Sequence, residues 1–379
     1  MDFDLQWLLL AMPIAFALGW AGSRIDLGQW KREQKSSPKA YYKGLNLLLN
    51  EQQDKAIDAF IEAMQSDPDT TELHFALGNL FRRRGEFERA VRVHQHLMQR
   101  ADLKPDERER ARHALAQDYL KAGLFDRAEE NYRALQGTTF DAEARLALLQ
   151  LHERSRDWRA AADDAVELEK TGTASFASRI AHHWCELALE ADERGDRAAA
   201  QAALARAREV APESARPWVL LGQRQARAGE HELALASWAV LRQHHPGAFA
   251  LVALDYALSA RAAGQAGDAL TALQGLYSQH PSLDLLRAID ALDTDPARTH
   301  QRHAGHLAQQ PSLSAAATVL RDEPGNGARG SAIAVIEHAA QPLQRYRCAA
   351  CAFEAQHYFW QCPGCLNWDS YPPQRVEEM

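Results

Sequence analysis

"WVLLGQRQARAGEHELALASWAVLRQHHP", Trp218 to Pro246, decides how most of the chain folds. Trp218, Leu221, Gly222, Gly229, Ala234, Trp238, Leu241 and Pro246 fall on the offsets that a 34-residue tetratricopeptide repeat gives to bulky, small, turn and stop residues. Two helices joined at Gly229 follow. Small residues at Gly222 and Ala234 let those helices pack closely, where a larger side chain would push them apart. Gly229 ends the first helix in a left-handed conformation that costs other residues about 1 kcal/mol, and Pro246 stops the second. The bulky Trp218, Leu221 and Trp238 are expected to fill the seam between neighbouring repeats.

Stepping the frame both ways predicts seven repeats over 37–281. Gly44, Ala56, Phe60, Ala63 and Pro68 mark the first; Gly78, Ala90 and His94 mark the second; Tyr119, Gly123 and Tyr132 mark the third. Trp158 and Ala161 belong to a degenerate fourth copy, Trp184 and Gly195 to the fifth, Ala257 and Gly264 to the seventh. No repeat buries its own apolar face, so stacking is obligatory and an all-α superhelix with one concave surface is expected. That surface binds extended peptides or partner helices and carries no chemistry. On its first two repeats the frame places Tyr41, Phe75, Asn79, Arg82 and Arg83 toward the groove. Asparagine followed by basic residues would grip a carboxylate or acidic peptide; the alternative is a solvated helix face. Arg216, Gln223 and Arg227 form a similar strip in the sixth repeat. Beyond Ser282 the frame decays into capping helices and a linker (282–344): a helix over "SLDLLRAIDALDT", a turn-rich break at Asp322 to Ser331, and a short helix over "AIAVIEHAAQPLQ".

"LQWLLLAMPIAFALGWAG", Leu5 to Gly22, is an uncharged apolar run near the lower limit of the ~20 residues a membrane span needs. Trp7 and Trp20 bracket it as interfacial indoles do. A cleaved signal peptide would want basic residues before the apolar core, whereas "MDFD" is acidic and Arg24, Lys31, Arg32, Lys35 and Lys39 follow. The reading is a single-pass anchor over 1–22, a linker over 23–36, a periplasmic N-terminus and a cytoplasmic body.

The other end holds four of the five cysteines. Cys348, Cys351, Cys362 and Cys365, within 345–373, make C-x2-C-x10-C-x2-C, two knuckles whose four thiolates close a tetrahedron around one metal ion. Tetrahedral sulfur suits iron and zinc alike. So small a module cannot build an adequate core alone, and metal ligation supplies about 10–16 kcal/mol of apparent folding free energy. Tyr346, Phe353, Tyr358, Phe359, Trp360, Trp368 and Tyr371 would coat one side. Four thiolates leave no open coordination position, so hydrolytic metal chemistry is not expected. The knuckles look rubredoxin-like, but Ala352 and Leu366 stand where glycine usually follows each one. The departure weakens an electron-transfer reading more than a structural one.

Composition agrees with a folded, helical chain: 46% hydrophobic, 25% charged, net charge −8. A chain-wide basic footprint for nucleic acid is absent, and the cysteine usage fits a reducing compartment. No nucleophile–base arrangement stands out, so no enzyme is expected. His300, His303 and His306 read as a polar helix face, and Cys185 falls at a groove-facing offset without sign of reactivity.

Anchor, repeats and rubredoxin-type tail together resemble the lipopolysaccharide assembly protein B family of Gram-negative bacteria, most specifically through "YRCAACAF" and "FWQCPGC". The resemblance implies an inner-membrane regulator of lipopolysaccharide synthesis. Its partners would be a membrane AAA+ zinc protease, the lipid A-committing deacetylase it degrades, and an inner-membrane lipopolysaccharide sensor protein. It also implies that the four cysteines ligate metal one for one. A scaffold for synthesis and export proteins and a rubredoxin-like electron carrier remain alternatives, and the oligomeric state is open, a homodimer included.

Overall fold

The computed structural model describes residues 42–66, 70–172, 174–322 and 327–379, together with Phe16 and Trp20. Apart from those two, the expected anchor and its linker lie outside the described residues, as do Tyr41 and Pro68. Among the described residues no helix is long and apolar enough to cross a membrane.

The chain divides into two compact units, one ending at Arg154 and one beginning at Ser155. Helix α1 (42–49) opens the first unit, followed by α2 (Gln53–Ser66), α3 (Thr71–Arg83), α4 (Phe87–Gln99), α5 (Pro105–Lys121), α6 (Phe125–Arg133) and α7 (Asp141–Ser155). The second runs through α8 (Trp158–Lys170), α9 (Ala177–Glu193), α10 (Arg197–Val210), α11 (Arg216–Arg227), α12 (His231–His244) and the short α13 (Pro246–Phe249). It continues with α14 (Ala253–Ala262), α15 (Ala266–Gln279), α16 (Leu283–Leu292), α17 (Pro296–Gln309), α18 (Leu313–Asp322) and α19 (Gly327–Ala340). Both units are built from tetratricopeptide helix pairs.

One pairing device recurs. A Cβ on Gly222 would lie 2.2 Å from Nε1 of Trp238, which is wholly buried. Gly78 meets His94 in the same way at 2.5 Å, and Gly44 meets Phe60 at 2.7 Å. The large ring of the second helix therefore lies on the bare backbone of the first within one repeat. This corrects the expectation that Trp238 fills the seam between repeats. Gly229, with φ of 79°, makes the reversal between α11 and α12 as its offset requires.

Other residues turn inward too. Cys185 is buried with Ala181, Ala188 and Leu204 rather than facing a groove, and burial pushes its thiol up to about 12, which makes it inert. His303 and His306 are core residues, not a solvated face. His303 Nε2 lies 2.7 Å from Asp290, and His306 Nδ1 lies 2.8 Å from the Tyr277 hydroxyl. Past Ser282, α17 and α18 stand between the two helices read from sequence, and the turn-rich stretch is helical again from Gly327. A two-stranded antiparallel ribbon, β1 (Tyr346–Arg347) and β2 (Glu354–Ala355), begins the tail, with Tyr346 opposite Ala355.

Candidate metal centre

The two knuckles are near copies. Cys348 N–H donates to Phe353 O at 2.9 Å, and Cys362 N–H to Asn367 O at 2.9 Å. Ala352 N–H returns to Cys348 O at 2.9 Å, and Leu366 N–H to Cys362 O at 2.8 Å. Each loop closes on its fifth residue, just after the second cysteine, in the left-handed region, Ala352 at φ 61° and Leu366 at φ 60°. Side chains other than glycine resist that region by about 1–2 kcal/mol. A Cβ on Gly364 in the second loop would press on the Phe353 side chain at 3.3 Å.

This backbone brings all four sulfurs within 4.8 Å of one another. Cys348 and Cys365 are 3.8 Å apart, and Cys351 and Cys362 are 3.6 Å apart. Disulfides would need about 2.05 Å. A tetrahedron with Zn–S bonds of ~2.3 Å has edges of ~3.8 Å, so the donor set fits one thiolate-bound metal ion. The thiols themselves ask for a cation. Burial opposes ionisation of Cys348, yet Ser370 Oγ at 3.3 Å and the N–H groups of Cys351 and Ala350 bring it down to about 6. The Phe353 amide favours a thiolate at Cys351, but burial and the other three sulfurs push it up to about 12. One sulfur ionises readily and makes the next costly, unless a dication joins them. With four ligands the bound ion supplies a cross-link and presents no open position to a substrate.

Aromatic residues cover one side. Tyr346 and Tyr371 are buried against Cys348 and Cys362, with Leu251 of the repeats beside them. The Tyr371 hydroxyl donates to Phe353 O and the Tyr358 hydroxyl to Tyr371 O, both at 3.1 Å. Phe353 and Phe359 stay exposed. Trp360 and Trp368 point away from the sulfurs and into the second unit. Trp360 packs on the core of α11 to α16, and Trp368 stacks on His182 of α9 with ring centroids 4.6 Å apart and planes at 13°.

A charged chain fixes that seat. Asp369 accepts from Ser178 Oγ at 3.0 Å and lies 2.8 Å from His182 Nε2. Arg216, 4% exposed, pairs with Glu186 at 2.5 Å, approaches His182 Nδ1 at 3.5 Å, and lies over Trp360 and Trp368. Burial holds His182 below its ordinary range despite Asp369. It is therefore neutral, with Nε2–H donating to Asp369 and Nδ1 facing Arg216. Burial works against the Asp369 carboxylate, but His182, Ser178 and Arg216 outweigh it and hold the group below its usual range.

The last residues extend the clasp past 373. Glu378 accepts from Leu283 N–H at 2.5 Å at the start of α16. Glu377 accepts from Ser314 N–H at 2.9 Å at the start of α18, and also bonds Gln344. Both carboxylates sit where orphan N–H groups and helix dipoles favour negative charge. Arg375 binds Asp284 at 2.9 Å and lies over the Tyr346 ring.

The groove residues read from sequence fare differently. Tyr41 is outside the described residues. Phe75 is 2% exposed and packs with Leu97, Leu103 and Ala111, with the Arg110 guanidinium over its ring. Asn79 accepts from Arg82, and Arg82 is committed to buried Asp118 at 2.8 Å and to Ala114 O. Arg83 is exposed. Arg216, read as groove-facing, is part of the tail's seat. Sequence reasoning missed His182, Asp369, Glu377 and Glu378, and the doubled histidine in "AHHWCEL", set among apolar residues of α9, was the one available signal.

Residues 346–372 match the family model described as a rubredoxin metal binding domain, and 43–93 and 185–249 match tetratricopeptide repeat. The chain is 32% identical to lipopolysaccharide assembly protein B of Escherichia coli strain K12, over 98% of both chains. It is 27% identical to the protein of that name from Haemophilus influenzae, over 99% of both. With repeats, metal centre and full-length likeness in agreement, the chain belongs to the lipopolysaccharide assembly protein B family.

Proposed function

We propose that the protein is a membrane-anchored cytoplasmic adaptor that regulates lipopolysaccharide synthesis. It brings the lipid A-committing deacetylase to a membrane AAA+ protease for degradation, under the influence of an inner-membrane lipopolysaccharide sensor. Such a task needs an anchor, a binding surface and proximity, and tethering raises effective concentration without new chemistry. The observation that carries the reading is the seat of the metal module. Trp360, Trp368 and Asp369 are built into α9 and α11, so the bound ion fixes the shape of a repeat surface.

The test is deacetylase half-life in cells depleted of the protein and complemented with wild type or Cys362→Ser. Wild type should restore rapid turnover and the variant should not. Turnover unchanged by depletion would instead favour a scaffold for synthesis and export proteins.

A further inference from the structure

A cavity of about 490 Å3 opens between α11, α12 and α14. Gln223, Ala226 and Arg227 form one wall, His231 the end, and Asp255, Leu258 and Ser259 the other wall. Its size falls in the ~300–1,000 Å3 range of ligand sites. Three observations point to an occupant. Leu254 and Leu258, one turn apart on the outer face of α14, are 47% and 43% exposed, while the opposite face of the helix is core. Arg227 keeps its fork free. Arg82, Arg216, Arg224 and Arg302 each hold a carboxylate on another helix, whereas among the described residues Arg227 reaches only Gln223 O of its own helix at 3.3 Å. Asp255 likewise has no ion-pair partner among the described residues. Finally, His231 Nδ1 is buried with no hydrogen-bond partner among the described residues, a condition that bound groups commonly relieve.

We propose that this cavity binds a short protein segment carrying a carboxylate next to an apolar side chain. The carboxylate takes the Arg227 fork in a bidentate pair. The apolar side chain lies on Ala226, Leu254 and Leu258. Asp255 is left to accept main-chain N–H groups, and His231 Nδ1 meets a polar atom of the segment. A basic segment would satisfy Asp255 but would face the Arg227 guanidinium. The inference rests on the adaptor reading and names the chemistry of one partner segment.

The test uses the full chain in detergent micelles and fluorescein-labelled decapeptides that set one Glu one to four residues from one Leu in an Ala-Ser-Gly background. Anisotropy should saturate for at least one spacing. Its Glu→Lys version should not bind, and Arg227→Ala and Leu258→Asp should each weaken binding about tenfold with the thermal transition of the protein unchanged. Equal binding of the Lys version, an Arg227→Ala effect under about twofold, or no saturation up to about 1 mM would each overturn the proposal. The adaptor reading is judged apart from it by deacetylase half-life on depletion of the whole protein, and it can stand if the cavity fails.

Discussion

Helix pairs and metal knuckles face the same problem, a chain that must reverse through a left-handed residue, and they solve it in opposite ways. Between α11 and α12 the reversal is made by Gly229, with open space around it and no strain. In the knuckles it is made by Ala352 and Leu366, which resist that conformation. Most helix pairs are locally consistent in this way, with glycine making the turn, although Glu51 at φ 58° and Arg156 at φ 60° make the reversals before α2 and α8. The tail is held in its turns by sulfur, by the ring stack on His182 and by the carboxylates of Glu377 and Glu378. Repeats should therefore degrade gradually when disturbed, and the tail all at once.

Removing the metal breaks the comparison at its widest point. Chelation, or Cys362→Ser, withdraws a cross-link worth about 10 kcal/mol or more. The tail should then become the first site of proteolysis, with far-ultraviolet helix signal largely kept. A tail that stays protease-resistant without metal would mean that packing alone holds it. The next effect in size is at its seat. Arg216→Ala leaves Glu186 partly buried and uncompensated and takes the cation from over Trp360 and Trp368, so denaturation of the second unit should occur about 3 kcal/mol sooner. Hydrogen exchange should rise first in α9 and 346–372.

How much of this was legible depended on the distance in sequence between partners. The offsets of Gly222 and Trp238, half a repeat apart, and of Cys348 and Cys351, one knuckle apart, could be read directly, although the frame put Trp238 in the seam between repeats and not on Gly222. Asp369 and Ser178 are 191 residues apart, and no periodicity links them. Arg82 was misread because a frame gives the face of a helix but not what the next repeat puts against it, here Asp118. Arg227, at the place in its repeat that Arg83 holds in the second, meets no such carboxylate and keeps the role that Arg82 and Arg83 were expected to have.

Within the repeats, two glycines sharpen the contrast. Gly275 in α15 has nothing within 4 Å of an added Cβ, so Gly275→Ala should stabilise by about 0.5–1 kcal/mol through helix propensity. Gly222→Ala should do the reverse and cost about 2 kcal/mol, since the buried Trp238 ring has nowhere to move. Thermal denaturation of the pair decides it, and two increases would mean that the ring does not lie on Gly222.

The smallest effect addresses the strain itself. Ala352→Gly and Leu366→Gly remove the left-handed penalty of about 1–2 kcal/mol, offset in part by the greater freedom that glycine gives the unfolded loop. Each should stabilise the loaded tail by about 0.5–1 kcal/mol, and the repeats should not respond. Because both knuckles grip one ion, the gain should appear as slower loss of zinc to a competing chelator. The double variant should lose it more slowly than either single one, nearly additively if the loops relax independently. Gly229→Ala supplies the opposite sign, since it puts a Cβ on a turn that glycine makes freely. If Ala352→Gly and Leu366→Gly instead speed zinc loss, their side chains support the site rather than strain it, and the contrast between the two kinds of turn disappears.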